Sequence, residues 1–165
     1  MRAPIWLSIL KRQKLMLGEF FLRRWPHDWL VRLSGGGQLA PTVEARDLEE
    51  TLLPGADASP AVVGSDCQAW SLEWAGSPLS LGRAGVNDFV INDVTVPRVA
   101  GLLLCRDGLW SWRRLGDDHD EPVGPGPLRL GAVELWVVQA EVLDAALSAG
   151  ACEALFERLR RSTEA

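Results

Sequence analysis

The chain has 165 residues, 47% of them hydrophobic, which is enough to bury the core of one ordinary domain and too much for a disordered tail. Its 17 basic and 22 acidic residues give a net charge of -5, which opposes binding along a phosphate backbone and excludes a whole-chain nucleic-acid binder. Three widely spaced cysteines, Cys67, Cys105 and Cys152, fit neither a disulfide framework nor a zinc cluster, so a reducing compartment is expected.

The apolar stretches near the start are interrupted by Lys11-Arg12-Gln13-Lys14 and never reach the roughly 18 apolar residues of a membrane span. The basic cluster follows the first apolar run, and no small-residue cleavage site comes after it, unlike a secretory signal. A cytosolic protein is the expectation. Residues 1–33 hold seven basic side chains against Glu19 and Asp28, a net +5, which leaves -10 for the rest of the chain. The segment reads as a basic amphipathic arm: Trp6, Leu10, Leu17, Phe20 and Phe21 share one helical face, and Lys11, Arg12, Lys14 and Arg23 populate the other. Pro26 ends that helix. Such an arm can pack on the chain's own acidic body, enter a partner's groove or lie on an anionic membrane, and in a small protein the first is favoured. Trp6, Trp25 and Trp29 are aromatic anchors that a partner could use. Trp29 to Leu33 is a short strand or the end of a helix.

Residues 34–66 read as a linker. Ser34-Gly35-Gly36-Gly37 is a flexible break, Thr42 to Thr51 is acidic with the makings of a short helix, and Pro54 to Asp66 has no periodicity. Thr51, preceded by Glu49-Glu50, is a candidate phospho-acceptor.

From Cys67 the pattern changes to period two, with Trp70, Leu72 and Trp74 alternating with Ala69, Ser71 and Glu73. Further strands are expected at Leu79 to Gly82, Asp88 to Ile91, Gly101 to Cys105, Leu109 to Arg113, Leu128 to Leu130 and Val133 to Val138, separated by turn residues. Asp107-Gly108 between two apolar runs is the most specific hairpin signal. Trp70, Trp110 and Trp136 are assigned to the core. Residues 67–139 therefore form a β-sandwich or barrel, and residues 140–165 return to a helical period that Gly150 divides.

Within the body, Leu81-Gly82-Arg83, then Asn87-Asp88-Phe89-Val90-Ile91, then Val96-Pro97-Arg98-Val99-Ala100-Gly101-Leu102 resemble the opening of a forkhead-associated (FHA) domain. Gly108-Leu109-Trp110-Ser111-Trp112, Leu115-Gly116, Leu128-Arg129-Leu130-Gly131 and Val133 to Val138 continue the resemblance in order, over about Trp70 to Gln139. The resemblance implies an FHA-like antiparallel β-sandwich, mainly β, with an N-terminal amphipathic arm and a C-terminal helix. It also implies a domain without catalytic activity or cofactor that binds phosphothreonine peptides through loops at one end. Arg83 matches the family's phosphate-facing arginine and Arg98 the arginine of its second motif.

Other positions depart from the pattern. Pro97 replaces the phosphate-binding serine and offers neither a hydroxyl nor an N–H, and Ala100 replaces the histidine that braces the turn. Asp117, Asp118, His119, Asp120 and Glu121 stand where the family's recognition loop is expected, and four carboxylates repel a phosphate dianion. These five residues do not follow the register of a calcium loop. They read instead as a docking surface for a basic segment, supplied by another protein or by the chain's own arm. His27 and His119 are too far apart in sequence to suggest a metal site. The expectation is a non-enzymatic adaptor or scaffold in a signalling or assembly complex, phospho-independent. Two alternatives are a phosphothreonine reader using Arg83 and Arg98, and a peripheral membrane scaffold held by the arm.

Overall fold

The computed structural model describes residues 2–32, 67–150 and 152–164. They form a mixed α/β fold with two five-stranded sheets. In chain order the elements are β1 (Ile5–Trp6), α1 (Leu7–Leu17), a 3-10 turn (Gly18–Phe20), α2 (Phe21–Arg24), β2 (Trp29–Arg32) and β3 (Gln68–Ser71). Then come β4 (Leu79–Gly82), β5 (Phe89–Val90), β6 (Gly101–Arg106), β7 (Leu109–Arg114), β8 (Glu121–Pro122), β9 (Leu128–Leu130) and β10 (Val133–Val138). Helices α3 (Ala140–Ala149) and α4 (Cys152–Glu164) close the chain. The first sheet has the order β1-β3-β2-β10-β9 and the second β5-β4-β6-β7-β8. All neighbours are antiparallel except β4 and β5.

Strand β2 lies between β3 and β10, with Leu30 opposite Trp70 and Val31 opposite Trp136. Alternation sends Trp29 and Val31 to one face and Leu30 to the other, and both faces are covered, so all four residues of the strand are buried. On the outer face Trp29, Val31, Ala69, Trp136 and Val138 meet Leu7 and Leu10 of α1, Phe21 of α2 and the apolar sides of α3 and α4. On the inner face Leu30, Trp70 and Leu135 share one buried cluster with Leu81, Phe89, Leu103, Trp110 and Trp112 of the second sheet. Trp70 meets the Phe89 ring edge-on at 6.5 Å between centroids.

Residues 1–33 are therefore not an arm appended to a body that begins near Cys67. They supply two strands of the first sheet and part of its helical cover. The run Trp29-Leu30-Val31 is apolar on both sides of its pleat, so it is stable only in a strand covered twice, and its partners lie far away in the sequence. The helix read across Ile5 to Trp25 is also broken. Its first two residues are strand β1, and α1 stops at Gly18, whose φ of +53° leaves the helical region while its N–H donates to the Lys14 carbonyl.

Local signals held where they were strong. Asp107 and Gly108 have φ of +52° and +77° and join β6 to β7 in a two-residue turn with Arg106 opposite Leu109. Gly150, at φ +126°, separates α3 from α4. The expected linker at 34–66, with Thr51, lies outside the described residues.

Candidate functional site

Three loops emerge from the same end of the second sheet, after β4, before β6 and after β7. Their backbones are joined edge to edge. The Arg83 N–H donates to the Pro97 carbonyl and the Ala84 N–H to the Arg98 carbonyl, each at 2.9 Å. Ala100 N–H donates to the Leu81 carbonyl, and Leu115 N–H to the Ala100 carbonyl. Gly82 permits this approach, because a Cβ there would lie 2.4 Å from the Arg98 oxygen.

Asn87 is the buried pin of the arrangement. Its Nδ2 donates to the Ala84 carbonyl at 2.7 Å and to the Arg98 carbonyl at 2.8 Å. Asp88 anchors the other side of its loop: one carboxylate oxygen accepts from both the N–H and the hydroxyl of Ser80, and the Asp88 N–H donates to that hydroxyl. The Asn-Asp pair thus holds loop shape.

Arg83 and Arg98 are brought onto adjoining loops, both exposed. The Arg83 Nε donates to the Val96 carbonyl at 3.3 Å, which turns part of its guanidinium toward the neighbouring loop that carries Arg98. Pro97 is exposed between them, and Ala100 is buried. Asp117, Asp118, His119 and Glu121 are exposed nearby, and Glu121 opens the short strand β8. Asp120 is different. Its Oδ1 accepts from Arg113 Nε at 2.6 Å, and its Oδ2 lies 3.5 Å from an Arg106 nitrogen. The Arg113 hydrogen bond, helped by the charges of Arg113 and Arg106, outweighs desolvation and holds the Asp120 carboxyl below the ordinary aspartate range. The hairpin thus neutralises one of the four carboxylates, a pairing that counting charges along the sequence missed.

A shallow cleft of about 270 Å3 runs beside Glu121, with Trp112, Arg114, Pro122 and Arg129 on its walls. Among the described residues, no group of three His, Cys, Asp or Glu side chains is placed to hold a metal ion.

The cations of the N-terminal segment do not reach the acidic loop. Lys14 pairs with Asp144 of α3, Arg32 with Asp93, and Arg2 lies over the Phe89 ring and donates to the Ser71 carbonyl. Self-docking of this segment on Asp117 to Glu121 is therefore corrected: α1 is held against α3 by its apolar face, which points Lys14 at Asp144. Trp29 is corrected as a partner anchor as well, since it is fully buried in the core with Trp25 at 5.3 Å between ring centroids. Trp25 is half-buried and donates its Nε1–H to Gln13, and Trp6 is half-buried on β1.

Sequence reading also missed a buried ion pair. Arg32 at the end of β2 meets Asp93 at 3.2 Å, and the other Asp93 oxygen accepts from the hydroxyl and N–H of Thr95. The Thr95 hydroxyl oxygen also accepts from the Ala132 N–H, which joins this loop to the turn between β9 and β10.

No family model, no curated protein and no solved structure matches this chain.

Proposed function

We propose that this chain is a non-catalytic interaction protein, a cytosolic adaptor or scaffold whose two sheets form an FHA-like β-sandwich that has lost its grip on phosphothreonine. The shared core between the sheets and the three loops gathered at one end support the sandwich reading. The observation that carries the functional reading is the Pro97 carbonyl accepting the Arg83 N–H. At the position where the resemblance implies a serine hydroxyl, the loop offers an acceptor already in use, which has no attraction for a phosphate oxygen. The exposed carboxylates of Asp117, Asp118 and Glu121 add repulsion of about 1 kcal/mol per charge at 4 Å in water.

The same carboxylates suit a basic segment of another protein, with the half-exposed Asp120–Arg113 pair setting the loop's position. A rival reading retains phosphate recognition through Arg83 and Arg98, and the exposure of both guanidinium groups favours it. Titration with phosphothreonine peptides separates the two. We expect no saturable binding, and micromolar binding abolished by Arg83→Ala overturns the proposal.

A further inference from the structure

The fold divides the seven cations of residues 1–33 into two groups. Arg2, Lys14 and Arg32 are engaged internally, whereas Lys11, Arg12, Arg23 and Arg24 are exposed on α1 and α2. The apolar residues divide in the same way. Leu7, Leu10 and Phe21 are buried, yet Ile9, Leu15, Met16 and Phe20 are 43%, 78%, 85% and 53% exposed. Those four lie within twelve residues and make up half of the eight large hydrophobic side chains exposed among the described residues. Ile9 and Met16, seven residues apart, lie along one line of α1, Leu15 is next to Met16, and Phe20 follows in the 3-10 turn that leads into α2. Scattered apolar side chains on a surface need no explanation, but a cluster framed by cations does.

We infer that this outward face of α1 and α2 is a docking surface for an anionic phospholipid bilayer. Leu15 and Met16, the most exposed of the four, stand out from the surface of α1. A bilayer interface needs no complementary groove and accepts protruding apolar groups beneath a ring of lysine and arginine heads. Arg23 lies 5.4 Å from the Phe20 ring and Arg24 4.4 Å from the Trp25 ring, so the cations and the apolar groups are presented together. Charge fixes the orientation. The remainder of the chain carries -10, so this face turns toward anionic lipid while the acidic loop turns away. Among the described residues no helix is long and apolar enough to cross a membrane, and the contact proposed is peripheral. This inference does not rest on the fate of phosphothreonine binding.

The experiment is co-sedimentation of the full chain with vesicles of phosphatidylcholine alone or with about 30% phosphatidylserine. We expect partitioning at least about tenfold higher on the anionic vesicles, falling as salt shortens the Debye length from about 8 Å toward 3 Å. Leu15→Ser with Met16→Ser, and separately Arg12→Glu with Arg23→Glu, should abolish it while leaving the thermal melt unchanged, because these side chains are exposed. Equal partitioning on the two vesicles, or anionic binding insensitive to both double variants, overturns the inference. Failure of the full chain to bind, with binding restored by deleting residues 42–53, also overturns it and makes that acidic segment the occupant of the face.

Discussion

The side chain of Asn87 donates to the backbone carbonyl of Arg98 at 2.8 Å, so one buried amide spans the two loops that carry the exposed arginines. The second proton of the same amide goes to Ala84, and neither bond can be replaced by a side chain that only accepts. Asn87→Ala should lower stability by about 1–3 kcal/mol through the loss of two hydrogen bonds from a buried amide. Asn87→Asp should lower it further, because a carboxylate would face both oxygens. Urea midpoints order the three proteins, and an aspartate variant as stable as wild type would refute this role.

Gly82 gives a second prediction at the same place. A Cβ at this position meets the Arg98 oxygen at 2.4 Å and the Val99 Cα at 2.8 Å, both backbone atoms that have little room to yield. Gly82→Ala should cost about 1–3 kcal/mol of stability, as overpacking does. Calorimetric melting measures it.

The buried pair of Arg32 and Asp93 makes stability depend on pH. Burial opposes the charge on Asp93, but the hydroxyl and N–H of Thr95, together with Arg32, outweigh it and hold the carboxyl below the ordinary aspartate range. A depressed folded value means that the unfolded chain binds the proton more readily. The stability contributed is complete above the usual value near about 3.9, declines as the pH falls through it and is gone below the depressed value. Burial lowers the Arg32 value more than the facing carboxylate raises it, yet an arginine remains charged throughout this window. Asp93→Asn should therefore flatten the acid limb of a plot of urea midpoint against pH. At neutral pH Arg32→Met should cost about 3–5 kcal/mol by leaving Asp93 unpaired, and the double variant with Asp93→Asn should recover part of that loss.

A chain that begins at Cys67 lacks β1, the central strand β2 and the helical cover from α1 and α2. It should show no cooperative thermal transition and weak near-ultraviolet tryptophan dichroism. Adding a peptide of residues 1–32 should restore part of both signals. A truncated chain that melts like the whole protein would contradict the buried position of Trp29.

What the sequence made legible was local. The Asp107-Gly108 turn, the strands Leu79–Gly82, Leu128–Leu130 and Val133–Val138, and the break at Gly150 depend on residues close to one another, and each was read at or near its final bounds. The place of Trp29 was not legible, because its neighbours Ser71 and Val138 lie far along the chain. Strands β1 and β8, of two residues each, are too short to leave a period. At the site, the backbone bonds that join the loops of Arg83 and Arg98 link residues about fourteen apart and leave no local pattern. The pairing of Asp120 with Arg113 was not legible either, since summing charge along a loop is blind to which carboxylate a hairpin turns inward.

Trp29 and Val138 are partners in one ladder although about a hundred residues separate them. On the ribosome, β2 must wait until β10 has emerged before its second edge is covered. Until then the strand of Trp29 keeps one edge open, so a nascent-chain chaperone that recognises aromatic segments should engage this protein early and release it only after β10 has emerged.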